Sequence, residues 1–363
     1  MTTVSEIFRT FSPEYRDRFG DSIPQEHRKA MHAIMECRTE AAGIAVYECQ
    51  ECGQIHRVHR SCGNRHCPTC QHHKSQEWLE RQMSRQLPGH HFMITFTVPE
   101  ELRRTIRSHQ RVAYSALFTA SSEAIKKLAK DEKHMGGDLP GFFGVLHTWG
   151  RTQEYHPHIH YVVVGGALST MDRKWHPSRI DFYLPVRALS KIYRAKFRDE
   201  MIKAGLSNLI PAEVWLQEWN VNCQAVGESQ ATLKYLAPYV FKVAISNHRI
   251  VKVDDHTVFF RYRKTHSNRW RTMALDAMEF MRRFLQHVLP TGFMKVRYYG
   301  FLNPSCKVEL DTISTLIELS YGFEISRPEV ELEPWKPVTC SKCGGTLKLR
   351  VIILACGTVI KPG

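Results

Sequence analysis

Apolar residues recur at helical spacing through the first forty positions, at Ile7, Phe8 and Phe11 and then at Met31, Ile34 and Met35, so a small helical lead-in is predicted. From His91 the period changes. Phe92 to Val98 reads as a strand stopped by Pro99, and a helix follows from about Leu102 to Ala129. A second strand, Gly141 to Trp149, and a third, His156 to Val164, are separated by a short polar connection and predict an antiparallel hairpin. Further on, the pattern predicts a helix over Val186 to Ala204 and a strand near Trp219 to Val226. A helically spaced segment, Lys234 to Val240, is followed by a hairpin over Arg249 to Tyr262. A helix over Leu275 to Val288 and a strand near Val296 to Tyr299 complete the series. Alternation without regular parallel crossovers points to an α+β fold, an antiparallel sheet backed by helices.

The third strand carries the most specific chemistry. His156-Pro157-His158-Ile159-His160 precedes an apolar run. Side chains alternate across a strand, so His158 and His160 share one face while Ile159 packs on the other. That is half of a metal site. If the hairpin turns near Gln153 and Glu154, His147 pairs close to His160 and becomes the first candidate for a third ligand, with Gln153, Glu154 and His156 as alternatives. Downstream, Tyr235 and Tyr239 lie four apart and share a face if their segment is helical. A histidine-bound divalent ion can polarise a phosphodiester, and a tyrosine hydroxyl beside it can attack phosphorus.

Between the lead-in and the first strand the chain is rich in cysteine and histidine. Cys49-Gln50-Glu51-Cys52 and Cys67-Pro68-Thr69-Cys70 are two tight C-x-x-C knuckles, expected to face one another and complete a tetrahedral zinc ribbon. So small a segment has few apolar residues with which to fold, and bound metal would supply the missing stability. Cys37 and Cys62, with nearby histidines, form a second site or extend the first; spacing leaves both open. In the tail, Cys340, Cys343 and Cys356 supply three thiolates, short of a closed set unless Cys306 completes it.

The 363 residues suffice for one large catalytic domain with one or two small modules. The division expected is a helical and zinc-binding module over 1–90, a catalytic domain over 91–305 and a tail over 306–363. Nothing resembles a secretory signal or a membrane-crossing stretch, so a cytoplasmic location without membrane partners is expected, where eleven cysteines suit metal better than disulfides. A formal net charge of +14 calls for a polyanionic partner. The stretch from Arg261 to Arg271 interleaves Arg261, Arg263, Lys264, Arg269 and Arg271 with Tyr262 and Trp270, a composition that suits phosphates and stacked bases of single-stranded DNA. A phosphate-binding G-x-x-x-x-G-K-[ST] loop is missing, so no built-in ATP-driven helicase is expected.

Taken in order, these motifs resemble the rolling-circle transposases of the HUH endonuclease superfamily, of the two-tyrosine, insertion-sequence-91 type. The likeness rests on Cys37 to Cys70, His147-Thr148-Trp149-Gly150, the run from His156 to His160, and Tyr235-Leu236-Ala237-Pro238-Tyr239. Later segments, Arg282 to Pro290 and Arg297 to Phe301, also look like the family. The resemblance implies an enzyme that nicks and rejoins single-stranded DNA at transposon ends. His158 and His160 would hold Mg²⁺ or Mn²⁺, and Tyr235 or Tyr239 would take the DNA end as a 5′-phosphotyrosine, with host helicase and replication machinery as partners. Pro238 departs from a regular helix between the tyrosines, which leaves the equivalence of the two hydroxyls open. A plasmid replication initiator or relaxase would share the chemistry, and a non-catalytic zinc-ribbon DNA-binding protein would need only the ribbon and the charge.

Overall fold

The computed structural model describes residues 2–71, 78, 87–228, 243–264, 267, 269–322 and 338–361. Tyr235 and Tyr239 lie outside these residues. The chain opens with helices α1 (Val4–Phe19) and α2 (Gln25–Glu36). Thr3 caps α1 through a capping box with Glu6. Strands β1 (Ile44–Cys49) and β2 (Ile55–His59) follow as a hairpin.

The largest sheet is six-stranded and antiparallel. It comprises β3 (His90–Thr97), β4 (Leu139–Trp149), β5 (Tyr155–Leu168), the short β6 (Trp175–Pro177), β7 (Val221–Glu228) and β11 (Val296–Tyr299). Its order is β11-β4-β5-β3-β7, with β6 on the end of β5. One face is covered by α4 (Gln110–Lys130) and α5 (Val186–Lys203), the short α3 (Arg103–Ser108) leading into α4. Alternation decides which side chains meet them. Phe92, Ile94 and Phe96 of β3 and Ile159, Tyr161 and Val163 of β5 point at the helices and join Leu117, Phe118, Leu189 and Phe197 in the main core. Tyr161 packs its ring across the opposing Gly144, where a Cβ would strike it.

The positions between those residues face the other way. Met93 and Val162 pack with Val145, Phe143 and Trp78 at one end of this second face, and the indole N–H of Trp78 donates to Tyr298 at 3.0 Å. Toward the other end the apolar residues stop and Thr95, Thr97, His158 and His160 take over.

A second core joins the ends of the sequence. Strands β8 (Ile250–Asp254), β9 (Thr257–Arg263) and β10 (Trp270–Asp276) form a three-stranded sheet, and α6 (Ala277–Leu285) packs on it. The expected hairpin of Arg249 to Tyr262 therefore gains a third strand, and the helix expected from Leu275 begins at Ala277. Asp276 caps it by accepting from the backbone N–H of Met278 and Glu279. Phe8 of α1 meets Phe284 of α6 edge to face at 5.2 Å, and Val4, Ile7, Met31 and Ile34 are buried with Phe260, Phe280 and Met281. The helical lead-in is thus one wall of a core completed more than two hundred residues later.

Near the C-terminus come α7 (Leu310–Tyr321), β12 (Leu347–Ile353) and β13 (Val359–Ile360), which were not evident in the hydrophobic pattern. Strand β12 pairs antiparallel with β1, giving a four-stranded sheet in the order β13-β12-β1-β2. No helix among the described residues is long and apolar enough to cross a membrane.

Candidate metal centres and nucleic-acid cleft

In the β4–β5 hairpin His147 lies directly opposite His158, and Val145 opposite His160. The pairing expected for His147, close to His160, is corrected: it stands two positions short, because the turn closes over Gly150 to Glu154, ahead of the expected centre, and the register shift between His147 and Trp149 restores one position. All three histidines nevertheless point from one face. Their rings stand 4.7–5.4 Å apart between centroids, and one nitrogen from each can be chosen so that the three lie within 4.8 Å of one another. His147 is buried, whereas His158 and His160 are half-buried.

Neighbouring groups fix which nitrogen each ring can offer. The Nδ1 of His158 is 2.7 Å from the carbonyl oxygen of His156. A carbonyl only accepts, so Nδ1 holds the proton and Nε2 keeps the lone pair. The Nδ1 of His160 is 2.9 Å from the Thr95 hydroxyl on the adjacent strand, which holds that ring with Nε2 as the outward nitrogen. Such hydrogen bonds to the far side of an imidazole orient it for a metal. Trp149 stacks on His147 at 4.7 Å.

Of the other ligand candidates, His156 and Glu154 are engaged elsewhere. Arg103 donates to His156 Nδ1 at 2.9 Å, and burial followed by the Arg103 charge holds that histidine below its ordinary pKa. Gln153 is buried in the turn, where its backbone carbonyl accepts from Gln286 and His287 while its side-chain amide has no hydrogen-bond partner among the described residues. Glu154 folds back onto Thr152. His287, pushed down to about 3 by burial, is neutral, so its Nδ1 accepts from the Thr148 hydroxyl while Nε2 donates to Gln153. The end of α6 thereby braces the turn that aims His147.

The histidines open into a cleft of about 1130 Å³ whose opposite wall is the β9–β10 hairpin. Arg261, Arg263 and Trp270 line it together with Arg151 and Arg249, and among the described lining residues none is acidic. Trp270 is opposite Arg263 in the ladder, and the guanidinium lies 4.9 Å from the indole centroid. Of the six residues expected to contact DNA, Lys264 and Arg269 are exposed next to the ends of β9 and β10, and Arg271 pairs with Tyr262 on the other face of the ribbon. Arg249, which the sequence did not single out, ties the walls together by donating to the carbonyls of Arg261 and Arg151, both at 2.7 Å. Burial lowers its pKa. Thr95 had a legible signal, a polar residue inside an apolar strand; Arg249 had none.

The cysteines assort differently from the single ribbon expected of Cys49, Cys52, Cys67 and Cys70. Cys67 and Cys70 join Cys37 and Cys62, while Cys49 and Cys52 face Cys340 and Cys343. In the first group the Sγ atoms lie 3.5–3.7 Å apart along three edges. That is close to the ~3.8 Å edge of a tetrahedron with Zn–S bonds of about 2.3 Å. Cys37, Cys67 and Cys70 are buried within the second core. Cys306 and Cys356 join neither group.

Comparison with known proteins identifies the family. A family model described as "Transposase zinc-binding domain" matches residues 7–98, and one described as "Putative transposase" matches residues 141–309. Over 326 residues the chain is 36% identical to "Putative transposase y4qJ" of Sinorhizobium fredii, covering 82% of this chain and 80% of that protein. It is 24% identical over 339 residues to the "Transposase for insertion sequence element IS801" of Pseudomonas savastanoi pv. phaseolicola, covering 85% and 80%. No solved structure matches. These matches define the class: a transposase with an N-terminal zinc-binding domain. The chain belongs to the insertion-sequence-91 family of transposases, and the cysteine clusters support a structural zinc.

Proposed function

We propose that this transposase nicks and rejoins single-stranded DNA at the ends of its element through a covalent 5′-phosphotyrosine. The observation that carries the reading is the convergence of His147, His158 and His160 on one sheet face, at the floor of a cleft walled by arginines and Trp270. The donor set suits a divalent cation. Imidazole is a transition-metal ligand whereas Mg²⁺ selects oxygen, so Mn²⁺ fits better than Mg²⁺. A cation bound there would supply charge to polarise the scissile phosphate.

The remaining chemistry falls to the chain. Arg261 and Arg263 hold phosphates, and Trp270 offers a stacking face to a base. The hydroxyl of Tyr235 or Tyr239 gives up its proton as its oxygen attacks phosphorus. The bond to the 3′ oxygen breaks, that oxygen takes up a proton, and the 5′ phosphate remains on tyrosine. Attack by another 3′ hydroxyl reverses the step and frees the tyrosine, so the strand is rejoined without ATP. Strand separation would come from a host helicase and the replication machinery.

The test is to incubate the full chain with Mn²⁺ and labelled single-stranded DNA from the element's ends and look for a protein–DNA adduct. Tyr235→Phe and Tyr239→Phe assign the nucleophile, and the double variant should form no adduct. Adduct formation by the double variant, or its absence with every end sequence, would overturn the reading. The cleft wall has its own signature. Arg263→Ala should weaken binding of all sequences and lower the salt slope by about 0.7, the single-strand increment for one phosphate contact. Trp270→Ala should cost roughly 1–3 kcal/mol with that slope unchanged. Filter binding at several salt concentrations separates the two effects, and an unchanged affinity in both variants would remove the hairpin from the DNA path.

A further inference from the structure

The knuckle at Cys49 and Cys52 has its partner at the other end of the chain. Cys49 Sγ lies 3.5 Å from Cys343 Sγ, and Cys52 Sγ lies 3.8 Å from Cys340 Sγ. All four sulfurs fall within 4.8 Å of one another. Both knuckles read C-x-x-C-G and close with the same backbone bonds. The N–H of Cys49 donates to Gln54 O and that of Cys340 to Gly345 O; Gly53 donates to Cys49 O and Gly344 to Cys340 O. Gly53 and Gly344 adopt φ of +70° and +79°, which favour glycine. In the tail knuckle the N–H groups of Lys342 and Gly345 point at the sulfurs of Cys340 and Cys343, both at 3.4 Å. Backbone donors of this kind stabilise thiolates. His56 Nε2, 3.2 Å from Cys340 Sγ, adds a further polar neighbour.

A second observation is independent of the spacing. Of the described tail residues 338–361, Cys340 is the one that is buried. Residues 338–361 contribute a strand to β1, yet none of them belongs to an apolar core cluster among the described residues. The knuckles approach so closely that a Cβ on Gly345 would lie 3.1 Å from Cys49 Sγ and collide with the Glu51 carboxylate. What the tail buries is a thiol aimed at three others. The tail also lies beyond both matched family segments, which end at residues 98 and 309.

We propose that Cys49, Cys52, Cys340 and Cys343 bind a second structural zinc, which clasps the C-terminal tail onto the N-terminal module. The site is distinct from the cluster of Cys37, Cys62, Cys67 and Cys70. It closes residues 53–339 into a loop between two ligand pairs.

Cobalt substitution of the full-length chain tests this, because thiolate-to-cobalt charge-transfer absorption counts thiolate sites and is silent for the histidine centre. Two thiolate-bound equivalents per chain are expected. C340S/C343S should halve the absorption, while C306S/C356S leaves it unchanged. The remaining half reports that the first cluster, and hence the second core, is still folded. A single equivalent in the wild type, or the full signal in C340S/C343S, would overturn the proposal. As a second readout, a site-specific protease sequence inserted between Gly322 and Val338 allows the tail to be cut free. The severed tail should co-elute with the body in the zinc-loaded wild type and separate in C340S/C343S; separation in both, or in neither, would exclude the clasp.

Discussion

Replacing His158 or His160 by alanine is expected to lower adduct formation by at least ~10²–10³-fold, comparable to the loss of one preorganised electrostatic stabiliser from an active site. Both side chains leave the sheet on the face away from the main core and are half-buried, so their removal opens no core cavity and the thermal melt should stay close to wild type. His147 is buried and stacked on Trp149, so its replacement mixes a packing loss with ligand loss. Thr95→Val gives a graded counterpart. It removes the hydroxyl at His160 Nδ1 while keeping the strand and the imidazole, and should weaken Mn²⁺ binding by about 10-fold, the low end for loss of a ligand's orienting partner. Manganese binding followed by electron paramagnetic resonance, alongside the adduct assay, checks both. Wild-type cleavage by H158A or H160A would detach the histidines from the chemistry, and unchanged Mn²⁺ affinity in T95V would deny Thr95 its orienting role.

The second large effect is on stability. Cys67→Ser, or removal of zinc by a chelator, should unfold the core shared by α1, α2, the β8–β10 sheet and α6. Cys37, Cys67 and Cys70 are members of that core. Structural zinc can contribute about 10–16 kcal/mol to a small module, as much as the whole net stability of a domain, about 5–15 kcal/mol. The consequence reaches the arginine-walled cleft, because β9 and β10 are both a face of this core and the wall bearing Arg263 and Trp270. Far-ultraviolet circular dichroism and binding of a single-stranded oligonucleotide should fall together. Cys223→Ser serves as the control, since Cys223 is half-buried and in neither cluster. A metal-free protein that kept its wild-type melting temperature would contradict the assignment.

Alternation in an otherwise apolar run made β3, β4 and β5 legible in the sequence, and with them the helix-backed sheet and the shared face of His158 and His160. The exact pairing was not legible, because the apolar pattern does not place the turn, which closes over Gly150 to Glu154, and is blind to the one-residue irregularity between His147 and Trp149. Knuckles can be recognised from local spacing, but their partners cannot. Which C-x-x-C meets which cysteine is decided by tertiary structure, and Cys52 meets Cys340 at a separation of 288 residues. Strand β10 was hidden for a different reason. It is mostly exposed, with Met273 and Leu275 alone half-buried, so it lacks a firm apolar alternation.

The second core also sets an order of events during synthesis. Asn247 accepts from the backbone N–H of Val4 and donates to Thr69, so one side chain ties the first helix to the cysteine loop. Neither contact exists until residue 247 has left the ribosome. At about 5–20 residues per second, the stretch from residue 70 to residue 247 takes roughly ten to thirty-five seconds to make. For that interval Val4, Ile7, Phe8 and Phe11 have no Phe280 or Phe284 to cover them. A gene copy interrupted before the α6 codons therefore yields a fragment with a permanently bare apolar helix face, a substrate for chaperones and proteases rather than a free-standing DNA-binding competitor of the intact transposase.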